Sequence, residues 1–200
     1  MPAAIDFYFE FSSPYAYFAA ERIEALAQRH GRTVDWHPLL LGVIFKSTGA
    51  SPPTQVPLKR DYVKRDWERI ARLTGIPFKM PSVFPIASQN PARAVLFLAR
   101  SNEQAAKDLT LALYRAYYVD GQNIGEAEVV CGVAQGLGLD AAVLAEGMSD
   151  PAVKDQLKHE VGAAEARGVF GSPFVIVDGE PFWGFDRFDM LEDWLERGGF

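Results

Sequence analysis

Residues 5–26 read IDFYFEFSSPYAYFAAERIEAL and predict a strand, a sharp turn and a helix. Ile5, Phe7, Phe9 and Phe11 alternate with Asp6, Tyr8 and Glu10, the period of two that marks a strand. Ser12, Ser13 and Pro14 follow. A serine hydroxyl accepts well from an otherwise unpaired N–H of a helix's first turn, so Ser13 is a natural N-cap. Pro14 suits the first helical position, where a missing N–H costs nothing and the fixed φ already fits. Tyr15, Phe18, Ala19, Ile23 and Leu26 then share one face at helical spacing. A hydroxyl therefore stands where a strand hands over to a helix N-terminus, a place that favours negative charge. Spacing alone reads Ser13 as a cap and nothing more.

Beyond this stretch, His30-Gly31 stops the helix and Thr33–Leu40 reads as a second strand ended by Pro38. Strand, helix and strand in about 40 residues make a parallel βαβ unit with a right-handed crossover. From Leu41 the character changes. Ser47–Pro57 is a loop by its Gly and Pro content, and Leu58–Thr74 a helix that turns Tyr62, Val63, Trp67, Ile70 and Leu73 inward. The prolines of Met80–Pro91 exclude a helix there. Helical patterns cover Ala92–Arg100, Glu103–Val119, Glu126–Leu137 and Pro151–Arg167, with a shorter one over Asp140–Met148. Strands return with Phe174–Val177 and Glu180–Trp183 around the hairpin turn Asp178-Gly179, and Asp186–Arg197 is a last helix. The expected division is a frame of residues 1–40 and 169–200 with an inserted helical domain over 41–168.

Composition narrows the function. Two hundred residues, 48% of them hydrophobic, suffice for one large core. No run approaches the ~18 apolar residues of a membrane helix. Met1 onward lacks the basic-then-apolar pattern of a secretory signal, so the cytoplasm is the expected compartment. Cys131 is the single cysteine, which excludes an internal disulfide and a C-x-x-C redox centre; its setting, EVVCGVA, reads as core. A net charge of −6 argues against nucleic acid. Neither H-E-x-x-H nor Cys/His ligand spacing is present, and G-x-S-x-G, a dinucleotide fingerprint and a P-loop are missing too. The three histidines, His30, His37 and His159, stand in no triad context.

The string F-x-F-x-S-P-Y-x-Y-x-A resembles the opening of the 2-hydroxychromene-2-carboxylate isomerases and of the kappa-class glutathione transferases. The resemblance implies an α/β, thioredoxin-like fold of the DsbA type with a large helical insertion. It places Ser13 where redox relatives carry the first cysteine of C-x-x-C. It also implies a borrowed thiol, that of glutathione, held as a thiolate by the Ser13 hydroxyl. Phe170-Gly171-Ser172-Pro173-Phe174 matches the loop whose proline is cis in thioredoxin-like proteins, with Ser172 offering its backbone to the cysteinyl part of the peptide; main-chain pairing of this kind is how extended peptides add to sheet edges. On that reading the Ser172 side chain is incidental. Trp183-Gly184-Phe185-Asp186-Arg187 matches W-G-x-D-R, where the aspartate binds the γ-glutamyl ammonium; read without the resemblance, Asp186 caps the last helix. Phe185 stands where a polar residue is common, leaving only its backbone to bond.

Two lysines complete the implied site. Lys59 matches one that reaches a glutathione carboxylate, and Lys46 in G-V-I-F-K-S-T-G matches one beside the substrate pocket. Ala50 departs from the asparagine of the kappa pattern. Lys59 belongs to a helix in which six Lys/Arg face three Asp/Glu between Leu58 and Thr74. Most of these charges read as a solvated face, with Asp61/Arg65 and Glu68/Arg72 as i,i+4 pairs. The activity implied is glutathione-dependent isomerisation of a small aromatic carboxylate by a homodimeric enzyme. Phe7, Phe9, Phe11, Tyr15, Tyr17 and Phe84 could supply an apolar wall for it, though each reads more readily as core. A kappa-type transferase or peroxidase that consumes the thiol, and a binding module without catalysis, stay open.

Overall fold

A computed structural model describes residues 3–200; Met1 and Pro2, counted above with the first segment, lie outside the described residues. The chain runs β1 (Ile5–Phe9), α1 (Pro14–Arg29), β2 (Val34–Pro38), α2 (Leu41–Thr48), a 3-10 turn (Pro53–Gln55) and α3 (Pro57–Thr74). Then come α4 (Gln89–Ala99), α5 (Glu103–Tyr118), α6 (Ala127–Gly136), α7 (Ala141–Ser149) and α8 (Pro151–Ala166). The chain closes with β3 (Phe174–Val177), β4 (Glu180–Trp183), a 3-10 turn (Phe185–Arg187) and α9 (Phe188–Arg197). A mixed sheet of four strands has the order β2-β1-β3-β4. β1 pairs parallel with β2, Phe7 opposite Trp36, and antiparallel with β3, Phe7 opposite Val175; β3 and β4 form the expected hairpin. This is the thioredoxin arrangement with its helical insertion between β2 and β3.

β1 is central, so both of its faces are covered. Phe7 and Phe9 point into one core with Phe18, Ile23 and Tyr114, where the Trp36 ring meets them edge-on at 4.9 and 5.5 Å. Tyr8 points the other way, into a second core with Ile44, Leu96, Leu157 and Ile176. The alternation in β1 is therefore real but does not separate inside from outside: Glu10 is only 3% exposed. The outer strand β2 is blunted at its edge, because Lys107 Nζ donates to the Val34 carbonyl at 2.6 Å and Pro38 has no N–H to offer.

Several expectations are corrected. Helix α2 forms where no helical pattern stands out; it is short and buries only Ile44. α4 begins at Gln89, inside the proline-rich stretch, since Pro91 sits in the first turn, where its missing N–H breaks no intrahelical bond. In α3 only Val63 and Trp67 are buried, whereas Tyr62 and Leu73 are 61% and 83% exposed. Asp61 and Arg65 do not pair; Glu68–Arg72 closes to 4.0 Å and Asp66–Arg69 to 2.5 Å. Phe7, Phe9, Phe11 and Tyr17, by contrast, are fully buried, in keeping with the core reading favoured for them. Cys131 is half-buried rather than core, its Sγ 3.6 Å from the Ala141 carbonyl, and burial pushes its thiol up.

Candidate functional site

Ser13 sits in extended conformation ahead of α1 and caps it: the Ala16 N–H donates to Ser13 Oγ at 3.2 Å. The same hydroxyl donates to the Ser172 carbonyl at 2.9 Å. One hydrogen bond thus joins two stretches 159 residues apart. The Ser172-Pro173 peptide is cis. The Pro173 carbonyl in turn accepts from the Gly184 N–H at 3.0 Å, which ties the start of β3 to the corner after β4. Hydrogen bonds therefore link Ser13 to Ser172, and Pro173 to Gly184, which Trp183 precedes and Asp186 overhangs, into one surface patch beside the N-terminus of α1.

Glycine is required at two points of that surface. Gly184 has φ 107°, a region side chains rarely adopt, and a Cβ there would collide with Asp186 Oδ1. A Cβ at Gly171 would collide with the Trp183 indole nitrogen. Trp183, 55% exposed, lies across Gly171 and meets the Phe170 ring at 4.9 Å. Asp186 does not cap α9, whose N-cap is Arg187 without a side-chain bond. Its carboxylate is 75% exposed and has only Arg187, at 3.8 Å, as an ion-pair partner among the described residues. The Phe185 side chain leaves the site for the core, packed on Phe18 and Phe188 at 6.0 and 5.3 Å.

The two lysines come from α2 and α3. Lys46 in α2 and Lys59 in the first turn of α3 are exposed, and neither makes an ion pair or hydrogen bond among the described residues. Their helices, however, are pinned to the Ser13 turn. The Tyr15 hydroxyl donates to Asp66 Oδ2 of α3 at 2.9 Å; burial and then the Asp66 carboxylate hold the Tyr15 phenol well above its ordinary range. Leu41 N–H, at the head of α2, donates to Glu10 Oε2 at 2.9 Å.

Glu10 is the buried residue beside the Ser13 turn that the alternating pattern hides. Its Oε1 accepts from the Ser12 N–H at 3.2 Å. Burial pushes this carboxyl up, against the pull of Ser88, Leu41 and Ser12. Ser12 Oγ adds a second tie by donating to the Ile86 carbonyl and accepting the Ile86 N–H, both at 3.1 Å. From α5 the buried hydroxyls of Tyr114 and Tyr118 donate to the Glu10 and Phe11 carbonyls at 3.0 and 2.9 Å. A carboxylate between two buried phenylalanines, F-E-F, is the one sequence signal that marks the position.

The surface has features that fit a glutathione peptide. The Ser172 N–H and the Tyr15 N–H have no partner among the described residues, and Ser172 Oγ is buried with none. These are main-chain and hydroxyl donors beside a helix N-terminus, where negative charge is favoured and an extended peptide can pair. An exposed carboxylate at Asp186 suits an ammonium.

The sequence profile of the DSBA-like thioredoxin domain matches residues 4–196. A 2-hydroxychromene-2-carboxylate isomerase of Sphingobium xenophagum is 33% identical over 197 residues, 98% of this chain and 99% of that protein. A glutathione S-transferase kappa 1 of Caenorhabditis elegans is 28% identical over 206 residues, covering 96% and 91%. The solved structure of a selenomethionine 2-hydroxychromene-2-carboxylate isomerase superposes with a TM-score of 0.87 at 29% identity, over 97% of this chain and 95% of that one. The chain belongs to the DSBA-like thioredoxin domain family, in the group that holds the 2-hydroxychromene-2-carboxylate isomerases.

Proposed function

We propose that this protein is a glutathione-dependent isomerase of 2-hydroxychromene-2-carboxylate or a similar aromatic acid. The observation that carries the reading is the junction of Ser13 with the Ser172-Pro173 loop, 2.9 Å from hydroxyl to carbonyl. When bound, glutathione supplies a thiolate able to add reversibly to an electron-poor double bond and be expelled after rotation or ring opening. Ser13 Oγ–H and the N-terminus of α1 hold that negative charge. Ser172 pairs with the cysteinyl backbone through its N–H and C=O, beside Pro173. Asp186, at the Trp183-Gly184 corner with the Phe185 backbone, receives the γ-glutamyl ammonium, and Lys59 receives a carboxylate. Lys46 attracts the carboxylate of the aromatic substrate. In this reading the thiol is regenerated, and a homodimer is the working form.

Isothermal titration with glutathione, wild type beside Asp186→Ala, is the test. The expected result is binding by the wild type that weakens about two- to fivefold in the variant, the size of one solvent-exposed ion pair. Turnover of 2-hydroxychromene-2-carboxylate should leave the glutathione concentration constant. Consumption of the thiol would favour the kappa-type transferase reading, and no binding by either protein would overturn the glutathione site.

A further inference from the structure

Ser172 carries two unusual features together. Its carbonyl accepts the Ser13 hydroxyl proton, so the group expected to face a thiolate is already committed in the ligand-free chain. Its own Oγ is buried in a residue only 8% exposed and has no hydrogen-bond partner. Leaving a buried hydroxyl unpaired is costly, and native proteins keep few such groups. This one belongs to the residue whose carbonyl lies 2.9 Å from Ser13 Oγ, at the N-terminus of α1. An alanine would fill the position without that cost.

We propose that Ser172 contributes its side chain as well as its backbone, its Oγ–H serving as a second hydrogen-bond donor to the ligand's sulfur beside Ser13. This rests on the glutathione reading given above. A cysteinyl N–H that donates to the Ser172 carbonyl competes with Ser13 for that acceptor and frees the Ser13 hydroxyl to turn toward sulfur. Ser172 thereby couples recognition of the peptide backbone to the arming of both hydroxyls. Two O–H donors on one sulfur stabilise the thiolate more than one does, because each bonds better to the charged form.

The experiment follows the ultraviolet thiolate absorbance of bound glutathione against pH in wild type, Ser172→Ala and Ser172→Thr. Loss of one hydrogen bond to a charged acceptor should raise the bound thiol's pKa by about one unit in Ser172→Ala. Ser172→Thr, which keeps a hydroxyl, should return it to the wild-type value. Thermal melting without ligand gives an independent readout: Ser172→Ala should melt at the same temperature or higher, since it deletes an unpaired group. A bound-thiol pKa unchanged in Ser172→Ala overturns the role of the side chain while leaving the glutathione site intact. A lower melting temperature overturns it too, by showing that the hydroxyl is paired in the free protein. Failure of the wild type to bind glutathione overturns the glutathione reading itself, and this inference with it.

Discussion

Helix α5 holds the Ser13 turn from behind, and removing one oxygen atom at a time measures how firmly. Tyr118 is fully buried and its hydroxyl donates to the Phe11 carbonyl at 2.9 Å; no other donor reaches that carbonyl among the described residues. Tyr114, equally buried, donates to the Glu10 carbonyl at 3.0 Å, but this acceptor also receives the Ser13 N–H at 2.9 Å. Burial holds both phenols well above their ordinary range, so both remain donors at any working pH. Phenylalanine keeps each ring's packing, which leaves the hydrogen bond as the difference. Tyr118→Phe orphans a buried carbonyl and should cost about 2 kcal/mol, whereas Tyr114→Phe leaves its acceptor satisfied and should cost about 1 kcal/mol. For a chain of this size each kcal/mol lowers the melting temperature by about 2–4 °C, so about 4–8 °C and 2–4 °C are expected by calorimetry. Glutathione affinity should fall in the same order, because the relaxed carbonyls belong to the residues that lead into Ser13. A cost for Tyr114→Phe equal to or above that for Tyr118→Phe would refute the counting of shared acceptors. No cost for either would refute the view that α5 clamps the turn.

Three further outcomes are expected. Ser13→Ala loses a cap and the bond to Ser172, so stability should drop by about 2 kcal/mol or less while turnover falls about a hundredfold; near-normal turnover in a steady-state assay would remove Ser13 from the mechanism. Gly184→Ala forces a side chain onto φ 107° and against Asp186, which should cost about 1–3 kcal/mol and weaken glutathione at least about tenfold by calorimetry; an unchanged Kd would refute the placement of Asp186. His37 lies between Asp6 at 3.1 Å and Glu160 at 3.5 Å, with Arg167 on the far side of Asp6. Burial pushes its imidazole down, but Glu160 and Asp6 outweigh that and raise it overall. The folded state therefore holds the proton more tightly, and the stabilisation is complete below the unfolded value of about 6.5 and lost as pH rises through the folded one. The melting-temperature gap between wild type and His37→Gln should shrink from about pH 6 to about pH 9, and a constant gap would remove the ion-pair account.

What the sequence made legible follows from the range of the forces involved. Strand period, the Ser13-Pro14 start, the Asp178-Gly179 hairpin and the Gly that ends α3 are local, decided by steric and hydrogen-bonding preferences within a few residues. They place the ends of β3 and β4 on the residues expected. Burial is not local. Glu10 looks like the polar half of an alternating strand and is buried because helices cover both faces of a central strand. Tyr62 and Leu73 look like part of an inward stripe and are exposed because α3 lies at the rim, held by Val63, Trp67 and the Tyr15–Asp66 bond. Helix α2 escaped because eight residues with one buried side chain leave no readable face; Leu41 N–H on Glu10, a tertiary bond, anchors its start.

The site shows the same division. Each motif could be read where it stood, but a cap, a turn and a loop are also what Ser13, Ser172 and Asp186 are when taken separately. The distinction lies in the contacts between them: Ser13 to the Ser172 carbonyl, the Pro173 carbonyl to Gly184, and Gly184 beneath Asp186. Those contacts cross nearly the whole chain, so the helical insertion must close the distance before the site exists. This is why Glu10 sits where it does. One buried carboxylate takes hydrogen bonds from the Ser13 turn and from the head of α2, so the insertion is fastened to the frame at the point where thiol and substrate are proposed to meet. A change that loosened that carboxylate would separate α2 from the Ser13 turn without touching either proposed ligand.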